Sequence, residues 1–76
     1  MTSINAFTNS HSTNIGPFTV HGLDHKALAA NGIDSTDALI DFMLKLGAEV
    51  NTETAGPCIG VTGWFGNIGY TALMTQ

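Results

Sequence analysis

The sequence predicts an α+β fold, with a short strand, two helices and a C-terminal β-hairpin, one helix packing on a three-stranded antiparallel sheet. Two patterns predict it: apolar residues at helical spacing from Leu39 to Leu46, and strand-like residues on both sides of Gly66-Asn67. Residues 16–76 are expected to form one domain, and residues 1–15 a polar, loosely ordered arm.

The size of the chain limits how stable it can be alone. Its 76 residues are 43% hydrophobic, which is ordinary for a globular domain. A chain of this length buries only about 60–65% of its unfolded surface. Cys58 is the only cysteine, so an internal disulfide is excluded. We therefore expect a partner chain, another protein or a second copy in a homo-oligomer, to contribute to stability.

The charged residues are few, carry a net negative charge and are confined to the middle of the chain. Charged residues make up 11% of the sequence, against about 25% in a typical domain, and all lie between Asp24 and Glu53. The two uncharged ends are expected to be buried against each other or against other chains. With Lys26 and Lys45 as the only basic residues, nucleic-acid binding is not expected.

The first ten residues, MTSINAFTNS, lack the basic and apolar regions of a secretory signal, so a cytoplasmic protein is expected. No membrane span is expected either. The uncharged C-terminal segment contains aromatic residues, but glycine, threonine and asparagine interrupt it throughout.

The first strand and the first helix follow each other directly. The segment GPFTVHG predicts a strand, placed at a sheet edge because of Pro17. In GLDHKALAANGID, Asp24 is a suitable N-cap, and Leu23 can pack on Leu28. The pair Asn31-Gly32 then predicts the end of this helix.

The second helix is expected in DSTDALIDFMLKLG. Asp34 or Ser35 is the N-cap, Asp37 and Lys45 suit the two ends of the helix dipole, and Gly47 ends the helix. One apolar stripe faces the sheet: Leu39, Phe42, Met43 and Leu46.

The hairpin is built on Gly66-Asn67 as a two-residue type II′ turn. This turn fixes the register, with Thr62 opposite Thr71 and Trp64 lying over Gly69. One face is then apolar: Ile59, Val61, Gly63, Phe65, Ile68, Tyr70, Ala72 and Met74. The reverse face contains Cys58, Gly60, Thr62, Trp64, Gly69, Thr71 and Leu73.

Candidate catalytic and metal-binding sets are weak, and no cofactor is expected. His21, His25 and Cys58 are possible metal ligands, but they lack the close pairing of structural zinc sites. Cys58 with a histidine has the residue types of a nucleophilic pair, in a domain with little room for a substrate cleft. Asp37 and Asp41 are neighbours on a solvated helix face. The interpretation is a protein without enzymatic activity.

Ser35 raises an alternative. The stretch GIDSTDALIDFMLKLGAEV resembles the attachment segment of acyl and peptidyl carrier proteins, in which Asp-Ser opens a helix. That resemblance implies phosphopantetheine on Ser35. It covers about a quarter of the chain, and the final third predicts strands where that family has helices.

A second alternative is the precursor of a ribosomally synthesised, modified peptide or bacteriocin. Residues 1–55 would be an acidic leader, and residues 56–76, rich in glycine and threonine, would be the core. A Gly-Gly cleavage signal and a cationic core are both missing.

The leading hypothesis is a non-enzymatic binding or assembly module of the inhibitor or adaptor type, which bacteria and phages often encode. The strands that contain Phe18 and Met74 are expected to be edges that a partner can extend. The expected partner-binding residues are Asp34, Asp37, Asp41, Thr62, Trp64 and Thr71.

Overall fold

The computed structural model describes residues 4–75, without the side chains of residues 5 and 10. A 3₁₀ helix, Ile4–Phe7, precedes the first strand. The other elements, in chain order, are β1 (Thr8–Ile15), β2 (Phe18–Leu23), α1 (His25–Ala30), α2 (Thr36–Lys45), β3 (Glu49–Ala55), β4 (Cys58–Phe65) and β5 (Ile68–Thr75).

The strands form one mixed sheet in the order β1-β2-β5-β4-β3. Every neighbouring pair is antiparallel except β2 and β5, which are parallel. A parallel pair needs a crossover connection, and here α1, α2, β3 and β4 supply it. The two charge-free ends of the chain therefore meet side by side in the middle of the sheet.

The predicted fold class is wrong, because the protein is mostly β and its sheet is mixed rather than three-stranded and antiparallel. The two strands that were not predicted are β1 and β3, which form the two edges of the sheet. Their sequences, TNSHSTNI and EVNTETA, contain almost no apolar residues, because neither edge strand supplies much of the core. Alternation of apolar and polar residues, the usual signal of a strand, is therefore weak in both.

The two strands that were predicted to be sheet edges are interior strands in the structure. β2, which contains Phe18, lies between β1 and β5. β5, which contains Met74, lies between β2 and β4. Both strands are interior, so the prediction that a partner could extend them is wrong. Pro17 did not mark an edge because it lies in the β1–β2 turn, outside the strand.

Three hairpins use the same turn chemistry. Gly16, Gly56 and Gly66 have φ angles of 61°, 62° and 66°, and each is followed by a residue with negative φ. A positive φ at the first central position only is the type II′ geometry, which favours glycine there. The Gly66-Asn67 turn is confirmed, and its predicted register is confirmed along the whole of β4 and β5.

The helix boundaries follow the predicted caps. The Asp24 carboxylate accepts a hydrogen bond at 3.0 Å from a backbone N–H in the first turn of α1. Ser35 rather than Asp34 caps α2, accepting from the N–H of Ala38 at 3.2 Å. Both helices end at a glycine in the left-handed region, Gly32 with φ 79° and Gly47 with φ 89°.

The core lies between the helices and one face of the sheet. Leu28, Leu39, Met43 and Val61 are its most completely buried side chains. The other buried hydrophobic residues are Ile4, Phe7, Leu23, Ile33, Ala48, Tyr70, Ala72 and Met74. Two of these, Ile4 and Phe7, belong to the segment assigned to the polar arm. The Phe7 ring packs edge-on against the Phe42 ring of α2 at a centroid distance of 5.4 Å.

Contact between α2 and the sheet depends on a glycine in β4. A β-carbon placed on Gly63 would lie 2.7 Å from the sulfur of Met43 and 3.4 Å from the β-carbon of Ala48. Gly63 therefore allows α2 to approach the sheet closely. Within residues 4–75, neither helix is long or apolar enough to cross a bilayer.

Candidate functional site

The face of the sheet opposite the helices is not covered by any described element, and we call it the open face. Because side chains alternate along a strand, the register assigns residues to it directly. It contains Thr13 and Ile15 of β1; Phe18, Val20 and Gly22 of β2; Glu49, Asn51, Glu53 and Ala55 of β3; Cys58, Gly60, Thr62 and Trp64 of β4; and Gly69, Thr71, Leu73 and Thr75 of β5.

An aromatic surface lies on the open face at the end next to the Gly66 turn. A β-carbon on Gly69 would lie 2.7 Å from Cζ3 and 2.8 Å from Cε3 of Trp64, so the indole lies against a residue that has no side chain. The Phe18 ring meets the Trp64 ring edge-on, at a centroid distance of 5.6 Å and an angle of 70°. The predicted placement of Trp64 over Gly69 is confirmed, whereas the contact with Phe18 was not predicted.

A polar pair lies next to this aromatic surface. The Oγ1 atoms of Thr62 and Thr71 are 3.0 Å apart, with the Thr62 hydroxyl as the donor, and both side chains are partly buried. The predicted Thr62–Thr71 cross-strand pair is confirmed. Together with Asn51, which is opposite Thr62, these groups give the open face an uncharged hydrogen-bonding centre.

The structure divides the six predicted partner-binding residues between two surfaces. Thr62, Trp64 and Thr71 lie together on the open face. Asp37 and Asp41 lie on α2, in the layer on the other side of the sheet, and Asp34 lies just before it. The three aspartates are exposed, and Asp41 pairs with Lys45 at 2.9 Å. They cannot contact the same flat surface of a partner as Trp64.

The candidate metal ligands do not converge. His21 lies on the covered face, stacked on Tyr70 at a ring-centroid distance of 5.4 Å. Cys58 lies on the open face at the start of β4, and His25 begins α1. In the part of the chain that the structure describes, no group of three or more histidine, cysteine, aspartate or glutamate residues could hold a metal ion.

Ser35, the candidate modification site, is exposed at the start of α2. Its hydroxyl oxygen is the acceptor that caps the helix. The last third of the chain, where carrier proteins have further helices, forms β4 and β5.

Sequence reasoning missed the part of the open face that β2 and β3 supply, including Phe18 and Glu49. Phe18 reaches this face because β2 pairs with β5, and Glu49 belongs to an unpredicted strand. The Gly56-Pro57 dipeptide, ten residues before Gly66-Asn67, was the available signal for β3. A type II′ turn at Gly56 requires a strand on each side of it.

Comparison of the chain with protein-family models, with curated proteins and with solved structures gives no match.

Proposed function

We propose that this chain is a non-enzymatic protein-binding or assembly module that binds its partner through the open face of the sheet. The observation that carries this proposal is an uncovered sheet face with a partly exposed aromatic pair, Phe18 and Trp64, on a chain of only 76 residues. We place this activity in the cytoplasm, and the partner is another protein or a second copy of the chain.

The apolar residues left outside the core favour this surface. Ile15, Phe18 and Leu73 are 61%, 41% and 54% exposed. Phe18 lies on the open face against Trp64, Leu73 lies on the same face opposite Gly60, and Ile15 is opposite Phe18 in the β1–β2 pair. The other two exposed large apolar side chains among the described residues, Leu44 and Ile68, lie outside this face. Tryptophan is among the residues that most often dominate binding energy at interfaces. An apolar patch with a polar rim is typical of a protein-interaction site.

The charge distribution favours a basic partner. Glu49 and Glu53 are the charged residues of the open face, and both lie on β3. The two lysines are elsewhere, Lys26 in α1 and Lys45 in α2. The open face is therefore acidic along one side, and this would attract a positively charged surface.

The edges of the sheet suggest how a partner strand could be added. β1 contains an irregularity in its pairing between Thr8 and Ser12, a feature that disfavours further pairing at an edge. β3 pairs with β4 without interruption from Glu49 to Ala55, so its outer edge is regular. Extension of the sheet at β3 would place a partner strand beside the open face.

The two alternatives make different predictions about covalent state. As a carrier, the chain would gain a pantetheine arm on Ser35; as a precursor, it would be cleaved near residues 55–57. Such a cleavage would remove β4 and β5, which supply Val61, Tyr70 and Met74 to the core. We expect the intact mass of the chain isolated from its cell to be full-length and unmodified, and either change in mass would contradict the proposal.

The binding surface can be tested by placing a charge on it. We expect Thr62→Lys or Thr71→Lys to weaken association with the partner, because a lysine there interrupts contact at the centre of the open face. Ala30→Lys is the matched control, since residue 30 is exposed on the helical layer. Sedimentation velocity measures self-association, and affinity capture with each variant as bait measures binding to other proteins.

Circular dichroism and urea unfolding must show that all three variants remain folded. Two results together would contradict the proposal: the wild-type chain stays monomeric, and the Thr62→Lys variant captures every protein that the wild type captures. Equal loss of binding in Ala30→Lys would also contradict it, because the helical layer would then be the binding surface.

A further inference from the structure

One end of the open face contains a small cleft beside the Gly66 turn. Its walls are Ile15, Phe18, Glu49, Trp64 and Gly66, and its volume is about 410 Å³. Two strand pairings and one ring contact create it: Ile15 is opposite Phe18, Glu49 is opposite Trp64, and the Phe18 ring contacts the Trp64 ring edge-on. The cleft therefore combines residues from two hairpins that are far apart in the sequence, β1–β2 and β3–β4.

The chemistry of this cleft is unusual for an exposed surface. Two aromatic rings and one aliphatic side chain form the walls, and the only charged group is the carboxylate of Glu49. Among the described residues the only ion pair joins Lys45 to Asp41, so none of their cations pairs with Glu49. Aromatic faces and a carboxylate both attract a cation, and the aliphatic wall suits the stem of a long side chain.

We propose that this cleft receives an arginine side chain of the partner protein. The inference rests on the proposed function, since it assigns the chemistry of the partner at that same surface. A guanidinium group is planar, stacks on aromatic rings and pairs with carboxylates, whereas a lysine ammonium is a strongly hydrated point charge. The charge of the occupant is thus complementary to Glu49, and its shape is complementary to Trp64 and Phe18.

The occupant cannot come from a second copy of this chain. Its two basic residues are Lys26 and Lys45, and it contains no arginine. The proposal therefore identifies the partner as a different protein that presents an arginine on its surface.

The test is a titration of the purified chain with N-acetyl-arginine amide, using the uncharged N-acetyl-citrulline amide as the matched ligand control. Trp64 is the only tryptophan, so its fluorescence reports on the cleft alone. The chemical shift of the Gly66 amide gives a second readout. A single cation on an exposed aromatic and acidic site should bind with a Kd on the order of 10 mM.

Two glutamate variants separate the cleft from general charge. Glu49→Gln should weaken binding about three- to five-fold, because it removes one exposed ion pair. Glu53→Gln is the matched control, since it removes the same charge from the same strand and face, opposite Gly60 rather than Trp64. We expect its affinity to equal that of the wild type.

Three results would overturn the inference: no saturable change with the arginine amide, equal binding of the citrulline amide, or equal weakening in both glutamate variants. These results leave the proposed function testable by itself. If Thr62→Lys still abolishes capture of a partner while the arginine titration fails, the open face is the binding surface and the arginine assignment is wrong. If the arginine titration fails and Thr62→Lys also leaves partner capture unchanged, the proposed function is wrong as well.

Discussion

The two faces of the sheet are made from the same strands but have opposite characters. On the covered face, Val61 is fully buried, as is Met43 of α2, and the backbone at Gly63 lies directly beneath α2. On the open face, Trp64 lies over Gly69 with no element above it, and Leu73 is 54% exposed. The comparison indicates that the core lies on one face, while the other leaves aromatic and polar side chains without a covering element.

The largest difference in the free energy of unfolding should appear between a leucine of α2 that is buried against the sheet and one that faces solvent. Leu39 is fully buried, whereas Leu44 of the same helix is 56% exposed. Leu39→Ala should lower the free energy of unfolding by about 2–5 kcal/mol, the usual cost of a buried leucine deletion. Leu44→Ala should change it by less than about 0.5 kcal/mol. Urea unfolding followed by circular dichroism measures both.

If Leu39→Ala has no folded baseline at 25 °C, the same measurement at low temperature or in a stabilising osmolyte still ranks the two variants. Equal stabilities would contradict the assignment of the core to the space between α2 and the sheet.

The next largest difference in stability should appear between alanine substitutions at two glycines of β4 that lie on opposite faces of the sheet. A β-carbon on Gly63 would lie 2.7 Å from the Met43 sulfur, and Met43 has no exposed surface through which to move away. Gly63→Ala should therefore cost about 1–3 kcal/mol through overpacking. Gly60→Ala is the control, because its nearest neighbours are 3.6 Å away on the open face. A neutral Gly63→Ala would show that α2 is not held tightly against β4.

The smallest stability effect is expected where a new side chain meets Trp64. A β-carbon on Gly69 would also lie 2.7 Å from its neighbour, but that neighbour, the indole, can lift into solvent. Gly69→Ala should therefore cost less than about 1 kcal/mol. It should nevertheless change the fluorescence of Trp64, by moving the ring away from the sheet.

A cost for Gly69→Ala as large as that for Gly63→Ala would mean that the indole is held as firmly as Met43. The open face would then be as rigid as the core, and the contrast between the two faces would disappear.

Local features of the sequence were sufficient for several parts of the structure. The Gly66 turn and the alternation on both sides of it determined the register of β4 and β5, including the Thr62–Thr71 pair. The helix caps were recognisable because a cap depends on residues only a few positions apart. The stripe through Leu39 and Met43 indicated which side of α2 is buried.

The candidate site was predicted only in part, because only some of its residues are close to one another in the sequence. Thr62, Trp64 and Thr71 belong to one hairpin, so their common face followed from its register. Phe18 and Glu49 join them through strands that are distant in sequence, and Asp37 and Asp41 belong to the other layer. No pattern within a single segment specifies which segments will share a face.

The sequence by itself determined the turns, the caps, the buried side of α2 and the register of the last hairpin, because each depends on neighbouring residues. Only the tertiary structure decided that β2 pairs in parallel with β5, and therefore that β1 and β3 are the edges. A parallel pair is closed by contacts between distant segments, whose backbone hydrogen bonds are the same for any side chain. The open face and its cleft are consequences of that pairing.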